Sequence, residues 1–470
     1  MEQYYLAVDF GASGGRHIAA KREGDRLVFQ EVYRFPNGPV QKDGRLCWDL
    51  EYLEEQLIEG MRRCGERGIV PAAMGIDTWG LDYVLLDREG RRLGPAVSHR
   101  DPRTKGIYEE IFAACPREEL YQRTGIQMAE FNTLCQLAAQ KRDQPELLER
   151  AALFLMIPDY LNYRLTGVAA QEYTNAATTQ LLRAGSRQWA EELLDRLATP
   201  RGLFLLPPLP GRVLGTLRPE VAKRAGFCCR VILPPTHDTA AAFLALPPEG
   251  AGEPAISSGT WSLMGMETEF LYRSREALDG NFTNEGGYGG VNLLLKNSMG
   301  LWMIQQIRAE LGKKRSYGEL CAMAERERIA SLADCQSAEF MAPESMSRAV
   351  QDFCRRTGQE VPQTAGELLR VVYRSLAASY AATLSGLETL CGRSFKRLTI
   401  IGGGSRAEYL NRLTAQAAGI LVVTGREEAG AAGNLAAQML ADGVFTDVRE
   451  ARQCVAASFT ARRFEPDEEE

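Results

Sequence analysis

The chain has 470 residues, of which 45% are apolar and 25% charged, and it carries a net charge of −6. This length exceeds the size at which one hydrophobic core stops growing, so two domains are expected. The negative net charge argues against a general nucleic-acid surface, which needs clustered Lys and Arg. No apolar run is long enough to cross a bilayer and no basic secretory start is present, so we expect a cytoplasmic protein that binds neither nucleic acid nor membrane.

The first predicted element is a β-hairpin with a glycine-rich tip. Apolar residues lead through Asp9 into Gly11-Ala-Ser-Gly-Gly-Arg16, and a β-rich stretch follows at Leu27–Phe35. Glycine-rich turns let backbone N–H groups approach a phosphate. A Walker A loop is excluded because no Lys-Ser/Thr pair and no helix follow. An ordinary turn and a phosphate-binding turn both remain open.

A second strand–turn–strand pattern spans Met74–Asp87, with a polar turn that holds Asp77, Thr78, Trp79, Gly80 and Asp82. From about residue 105 to 200 the pattern is mostly helical, for example at Leu147–Met156 and Trp189–Leu197. This region is predicted to be a helical insertion beside the first sheet.

The centre of the chain contains a short strand, a proline break and then His237-Asp238-Thr239 at the start of an alanine-rich helix. Asp or Thr in that position usually caps a helix, and a capping role is compatible with a catalytic one. The Pro- and Gly-rich stretch Leu246–Pro254 is the predicted domain boundary. Beyond it, Ala255–Gly265 repeats the opening hairpin theme.

The C-terminal part predicts a long helix and then a parallel β-α-β unit. Apolar residues spaced three and four apart run from Leu369 to Leu387, and Gly402-Gly-Gly-Ser405 follows the strand Arg397–Ile401. The stretch Gly402–Ala407 matches G-x-G-x-x-A, with Glu427 and Glu428 about twenty residues later, so a dinucleotide site is one alternative. An adenine nucleotide shared by both domains would explain this loop and both hairpins.

Several segments together carry a family resemblance: Asp9–Arg16, Gly75–Gly80, Thr236–Thr239, Ile256–Gly265, Asn281–Gly287, Leu295–Trp302 and Ile401–Gly404. The chain resembles the duplicated nucleotide-binding fold of actin, heat-shock ATPases and sugar kinases and, within it, the FGGY carbohydrate kinases over nearly its whole length. The resemblance implies an α/β fold of two actin-like (ribonuclease H-like) ATPase domains with a duplicated fold, flanking a central cleft, and a helical insertion in the first. The expected parts are an N-terminal domain with a sugar-binding insertion at 1–245, a C-terminal nucleotide-binding domain at 246–455, and an acidic tail at 456–470.

The resemblance also implies a reaction, the ATP-dependent phosphorylation of a ketose with the aid of Mg²⁺. The expected substrate is L-rhamnulose, phosphorylated at its 1-hydroxyl in L-rhamnose catabolism. The alternatives are another ketose or polyol, such as L-fuculose, xylulose or autoinducer-2, and an actin- or chaperone-like ATPase. A monomer or homodimer is expected.

The resemblance can be carried onto individual residues. Asp238 is the implied catalytic base, and contacts with the sugar are expected from Trp79, Gly80, His237, Asp238, Thr239 and Asn297. Contacts with ATP are expected from Ala12, Ser13, Gly14, Gly15, Arg16, Thr260, Gln305, Gly403 and Gly404. Asp9 is the expected metal ligand, since Mg²⁺ keeps most of its water and one carboxylate can suffice. A plain turn carboxylate at Asp9, a satisfied buried histidine at His237 and a core role for Trp79 stay open.

Overall fold

A computed structural model describes residues 3–341 and 343–467, with Arg426 described by its backbone alone. The strands are β1 Tyr4–Gly11, β2 Gly14–Glu23, β3 Arg26–Pro36, β4 Val40–Lys42, β5 Arg45–Trp48, β6 Pro71–Thr78, β7 Tyr83–Leu86, β8 Ala96–Val97, β9 Leu153–Met156, β10 Val213–Thr216, β11 Arg230–Ile232, β12 Ala255–Ser258, β13 Trp261–Thr268, β14 Phe282–Gly286, β15 Asn292–Met299, β16 Arg397–Ile401, β17 Leu421–Arg426 and β18 Arg462–Phe464.

The helices are α1 Leu50–Glu66, α2 Tyr108–Ala114, α3 Arg117–Thr124, α4 Thr133–Asp143, α5 Pro145–Arg150, α6 Ile157–Thr166, α7 Tyr173–Ala176, α8 Glu191–Arg196, α9 Pro219–Ala225, α10 Asp238–Leu244, α11 Arg275–Asp279, α12 Trp302–Glu310, α13 Tyr317–Glu325, α14 Met346–Arg356, α15 Ala365–Cys391, α16 Glu408–Ala418, α17 Ala429–Ala441 and α18 Val448–Ala457. Among the described residues, none of these helices combines the length and the apolar character needed to span a membrane.

The chain divides into two compact units. The first comprises the chain up to Pro248 together with Thr268–Leu294 and Ala429–Ser458. The second comprises Glu249–Glu267, Leu295–Glu428 and the chain from Phe459 onward. The break after Pro248 lies close to the boundary expected at 245/246, but two later segments return to the first unit, and the sequence pattern gave no sign of this exchange.

The first unit contains a mixed sheet in the order β10-β11-β6-β1-β2-β3. The hairpin partners β1, β2 and β3 run antiparallel, whereas β1, β6 and β11 run parallel. The core of β1 is a continuous apolar run that is buried from Tyr5 to Val8, as expected for a strand covered on both faces. Helix α17 packs against β1 and β6, and Gln438 donates a 3.0 Å hydrogen bond to the Leu6 carbonyl.

The predicted insertion forms a layer of its own in the first unit. Helices α2–α8 lie within the predicted range, and their apolar residues build a separate core with Tyr83, Phe154 and Trp189. Two details differ from the sequence prediction. The stretch 147–156 is the end of α5 followed by strand β9, and β7 pairs with β9 rather than with β6. The polar turn after β6 therefore joins strands of two different sheets.

The second unit repeats the strand order of the first. The sheet runs β14-β15-β13-β12-β16-β17-β18, in which β14 is an additional edge strand and the other six follow the first order. It again has an antiparallel hairpin (β12–β13), parallel strands (β12, β16 and β17) and a final antiparallel strand. The long α15 begins with a capping box in which Thr364 and Glu367 bond each other's backbone N–H groups. The duplicated α/β fold is thus confirmed.

The region expected to be an acidic tail, 456–470, differs from that expectation in part. Helix α18 continues to Ala457, and β18 pairs with β17 through Phe464, which is buried. The three residues Arg462–Phe464 are too short a run to signal a strand without its partner. Residues 468–470 lie outside the described residues.

Candidate active site

The first hairpin places a carboxylate and a guanidinium side by side. Asp9 lies opposite Arg16 in the β1–β2 register, and both Nε and Nη2 of Arg16 donate to Asp9 Oδ2, at 3.1 and 2.7 Å. Asp9 is buried, whereas a quarter of the Arg16 side chain is exposed. The alternative of a plain turn carboxylate does not account for a buried charge at a strand end.

Close packing explains two of the glycines in this hairpin. Ala12 and Ser13 form the two-residue tip between β1 and β2, which confirms the predicted turn. A Cβ on Gly15 would lie 2.1 Å from the ring of Phe35, so this glycine is required by packing. At Gly11, a Cβ would approach the Gly14 carbonyl to 2.9 Å. The exposed backbone at the tip is free to meet an anion.

A second carboxylate, Asp77, lies beside Asp9 in the parallel β1–β6 register. It is fully buried, and Asn434 of α17 donates a 2.6 Å hydrogen bond to its Oδ2, whereas Oδ1 has no partner among the described residues. Burial, and then the nearby charges of Asp9 and Asp238, raise the pKa of Asp77 well above its usual value. An unpartnered buried carboxyl oxygen is costly and points to a protonated acid.

Asp238 is the carboxylate that solvent can reach. It is the first residue of α10, where His237 occupies the cap position without a side-chain cap bond, so the expected capping by Asp238 is wrong. Burial of the carboxyl and the charge of Asp9 raise the pKa of Asp238 to about 7. Its side chain nevertheless keeps 38% of its surface exposed. A carboxyl with these properties is suited to accept a proton at neutral pH.

The backbone before Asp238 is held by a buried glutamate that sequence reasoning missed. Both the N–H and the hydroxyl of Thr236 donate to Glu172 Oε2, at 3.0 and 2.7 Å, and Thr174 donates two further bonds to this carboxylate. The Thr236 carbonyl in turn accepts from Thr78 N–H of β6 and from the Asn175 amide. The loop that carries His237 and Asp238 is therefore fixed on two sides.

His237 and Thr239 flank the candidate base. The ring of His237 is buried, with Nε2 3.5 Å from Asp238 Oδ1 and Nδ1 3.4 Å from Glu285 Oε2. Burial lowers the pKa of His237, so the ring is neutral at pH 7. The Thr239 hydroxyl donates to Asp238 Oδ1 at 3.2 Å. His237 is thus not a satisfied core histidine, because no hydrogen bond to a described residue reaches Nδ1.

The turn after β6 is organised by a third buried carboxylate, Asp82. Five hydrogen bonds reach it, from the indoles of Trp48 (2.6 Å) and Trp79 (2.9 Å), from the His99 N–H (2.6 Å) and ring (2.8 Å), and from the Gln136 amide (3.2 Å). Hydrogen bonding and the charge of His99 outweigh burial and lower the pKa of Asp82. This carboxylate is saturated and is not a base.

Trp79 and Gly80 are tightly packed in the same turn. Trp79 is buried against Trp48, with ring centroids 4.0 Å apart, so its role includes the core; its contact with the sugar stays a prediction. Gly80 packs so close to Thr178 that a Cβ would lie 3.0 Å from its hydroxyl. Leu81 follows with φ +80°, in a turn closed by a 3.0 Å bond from Asp82 N–H to the Gly80 carbonyl. Strained backbone of this kind gathers at functional sites.

In the second unit, the residues expected to bind nucleotide lie together at the ends of β12 and β16. The Thr260 hydroxyl donates to Gln305 Oε1 at 3.3 Å, and Thr260 is the tip of the β12–β13 hairpin. A Cβ on Gly404 would lie 1.9 Å from Ser258 Oγ, which only glycine tolerates. Gly403 is exposed with open space around it. Asn297 also lies in this unit, on β15, and its Oδ1 has no partner among the described residues.

The dinucleotide alternative is weakened at one of its two acidic residues. Glu427 forms an ion pair with Arg406 of the glycine-rich loop. The predicted parallel β-α-β unit, β16-α16-β17, is confirmed.

The residues around Asp9 fit Mg²⁺. Asp9 is a hard-oxygen ligand at the end of β1, where Arg16 donates two hydrogen bonds to its Oδ2. Among the described residues there is no cluster of three or more His, Cys, Asp or Glu side chains that could hold a metal ion. Mg²⁺ takes one or two carboxylates and retains water in its other positions. Gly430, at the start of α17, lies against this carboxylate, since its Cβ would approach Asp9 Oδ2 to 3.1 Å.

Comparisons with known proteins identify the family and the fold. The model of the FGGY family of carbohydrate kinases, N-terminal domain, matches residues 4–245, and that of the C-terminal domain matches residues 255–441. A solved gluconate kinase from Lactobacillus acidophilus has a TM-score of 0.82 at 16% identity, covering 99% of this chain and 94% of that chain. A xylulose kinase from the same organism has a TM-score of 0.81 at 17% identity, with the same coverage. These two structures support the fold.

Curated relatives are closer in sequence. A rhamnulokinase from Oceanobacillus iheyensis is 43% identical over 459 residues, which are 98% of this chain and 97% of the relative. A rhamnulokinase from Bacillus subtilis is 40% identical over 464 residues, 98% of this chain and 95% of the relative. With both family models and these relatives matching nearly end to end, the chain belongs to the FGGY family of carbohydrate kinases.

Proposed function

We propose that this kinase transfers the γ-phosphoryl group of ATP to the 1-hydroxyl of L-rhamnulose. The observation that carries the reaction type is Asp238, a carboxylate at the start of a helix that solvent reaches and whose pKa is raised to about 7. The substrate rests on the relatives, which are named rhamnulokinases and match nearly the whole chain.

Asp238 is the general base in this proposal. As the hydroxyl oxygen bonds to the γ-phosphorus and the bond to ADP breaks, the hydroxyl proton passes to Asp238. The loop that carries Asp238 is fixed through Thr236 by Glu172 and by the Thr78 backbone, so the carboxylate needs little reorganisation. His237 and Thr239 lie against Asp238 and are the expected neighbours of the sugar hydroxyls.

The remaining predicted residues supply charge and nucleotide contacts. Arg16 and the N–H groups of the Ala12–Ser13 tip bind phosphate oxygens. Thr260, Gln305 and the loop at Gly403–Gly404 hold the nucleotide. Asp9 would hold Mg²⁺, which offsets the negative charge of the phosphates when bound. Phosphoryl transfer requires mainly such positioning and charge, with little covalent work by the protein.

A panel of acceptors with ATP tests the substrate assignment. We expect L-rhamnulose to give the highest kcat/KM in an ADP-release assay, with L-fuculose and other ketoses slower. D-Xylulose, glycerol and an autoinducer-2-type diol are the competing arms, and ATP hydrolysis without acceptor is the blank. If glycerol or D-xylulose wins by kcat/KM, the substrate assignment is wrong although the family stands. The cytoplasmic location, the monomeric or dimeric state and the use of Mg²⁺ stay predictions.

A further inference from the structure

An acid without an assigned role lies behind His237. Glu285 is on β14, is 7% exposed, and its Oε2 accepts no hydrogen bond from any described residue. This oxygen lies 3.4 Å from His237 Nδ1, while Thr283 hydrogen-bonds the Glu285 carboxyl. Burying a carboxyl oxygen without a hydrogen bond is costly, so a glutamate at this position calls for a reason beyond stability.

His237 lies between two acids. Its Nδ1 faces Glu285, and its Nε2 lies 3.5 Å from Asp238 Oδ1. The ring is itself buried, and its backbone N–H donates to the Thr174 hydroxyl at 3.2 Å, which limits its movement. The three side chains come from the start of α10 and from β14, about 50 residues apart in sequence, and form a continuous row inside the first unit.

We propose that Glu285 is a positioning residue that acts through His237 to clear the proton that Asp238 accepts from the sugar hydroxyl. This inference rests on the proposed function, since it needs Asp238 to act as the base. Glu285 accepts the Nδ1–H of neutral His237, which leaves the Nε2 lone pair facing Asp238.

The proton count balances without another reactant. Asp238 takes the hydroxyl proton as the O–P bond forms. His237 Nε2 then takes that proton from Asp238 while its Nδ1–H passes to Glu285. At the end Asp238 is ionised again, His237 is neutral in its other tautomer, and Glu285 is protonated. After the products leave, the two transfers reverse and the proton passes to solvent from Asp238, whose side chain is 38% exposed, so the starting state is restored. The present distances are longer than hydrogen bonds and must shorten by about half an ångström, as catalytic contacts commonly do when substrate binds.

The charged groups around the three side chains favour proton transfer from Asp238 through His237 to Glu285. Burial raises the pKa of Glu285 and lowers that of His237, so a neutral ring next to an acid of raised proton affinity is expected. Asp238 faces Asp9 and Arg16 of the first hairpin. Glu285 faces His237 and Asp238, and α7 packs against β14 with Tyr173 at Gly286. Glu172, which caps α7, has its oxygens occupied by Thr174, Asn175 and Thr236, and its own N–H donates to the buried Asp159.

Glu285→Gln tests the inference with L-rhamnulose and MgATP. Glutamine has a similar shape but cannot take a proton. We expect kcat to fall at least about tenfold while the KM values for both substrates change by less than about twofold. The acidic limb of kcat/KM, near pH 7 in the wild type, should move to lower pH because a negative charge near Asp238 is lost. Glu285→Asp, which retains an acid, should recover part of the rate.

Glu276→Gln is the matched control, since it makes the same change at an exposed position on α11, nearby in the sequence. Unchanged kcat and an unchanged acidic limb in a folded Glu285→Gln would overturn the inference. If neither Glu285 variant folds, ¹⁵N NMR of the three histidine rings of the wild type decides. An Nε2–H tautomer of neutral His237 in the free enzyme refutes the inference, because the path needs Nδ1–H beside Glu285 and a lone pair on Nε2. Failure of the wild type to phosphorylate L-rhamnulose would instead refute the proposed function.

Discussion

Replacing Asp238 by asparagine separates a catalytic carboxylate from a structural one. Asparagine has the same size as aspartate. Helix α10 has no side-chain cap hydrogen bond, so the substitution removes no cap from it. The substituted amide cannot accept the hydroxyl proton. General-base assistance is worth about 10²–10⁴-fold, or roughly 3–5 kcal/mol of barrier, so kcat should fall by that order while both substrates still bind.

The pH dependence gives the second part of this prediction. The base must be ionised to work, and its pKa is about 7, so wild-type kcat/KM should rise with pH through 7 and level off above it. In Asp238→Asn this limb should vanish. ADP release measured from pH 5 to 9, with the exposed Asp195→Asn of α8 as the matched control, checks both points.

Asp238→Asn should raise the free energy of unfolding at pH 8 although it lowers kcat. The folded state raises the pKa of Asp238, so it binds a proton more tightly than the unfolded chain, and this stability is present at low pH and lost as pH rises from about 4 to 7. Solvent reaches 38% of the side chain, so we discount the effect and expect Asp238→Asn to gain about 1–2 kcal/mol at pH 8 and nothing near pH 3. Denaturant unfolding at both pH values measures it.

One outcome would refute the reasoning for Asp238. If the asparagine variant turns over within about threefold of the wild type, Asp238 is not the base. Asp82 could not replace it, because five donors saturate that carboxylate. Asp77, with one unpartnered oxygen, would be the candidate to examine next.

Two further predictions concern the other carboxylate and the second unit. Asp82→Asn places an amide N–H₂ among donors inside the core, so the free energy of unfolding should fall by about 3–5 kcal/mol; a loss below 1 kcal/mol by urea unfolding would contradict the bonding described here. Gly404→Ala forces a Cβ against Ser258 Oγ, so KM for ATP should rise at least about tenfold with KM for ketose little changed; Gly318→Ala on α13, exposed and with open space at its Cβ, is the control.

The sequence predicted those elements whose formation depends on residues close together in the chain. The two hairpins at Gly11–Gly15 and Gly259–Thr260, the long α15 and the β16-α16-β17 unit each follow from apolar periodicity and turn residues within one segment. Leu147–Met156 failed because its apolar run suits a helix or a strand equally, and pairing with β7 decided for strand β9.

Site residues were predicted only within the segments that carry the family resemblance. Asp238 was predicted in this way, and its catalytic role stays a prediction. Glu285 lies in the segment Asn281–Gly287 that carries the resemblance, but no role was predicted for it. Glu172 and Asn434 were missed because each reaches the site from a segment distant in sequence. A lone glutamate or asparagine in such a segment carries no periodic signal. Trp79 was expected at the sugar, and its indole bond to Asp82 shows how a motif residue can also serve the core.

The return of α17 to the first unit bears on how the protein is made. Asn434 satisfies Asp77, Gln438 satisfies the Leu6 carbonyl, and a Cβ on Gly433 would lie 1.7 Å from the Ala241 carbonyl. These partners lie 192 to 432 residues downstream of the residues that they meet. At synthesis rates of about 5–20 residues per second, the first sheet, whose last strand ends at Ile232, waits roughly 10–40 s on the ribosome for α17 with one face uncovered. A nascent chain that ends before Ala429 should therefore be a strong client for chaperones, although its N-terminal sheet is already synthesised.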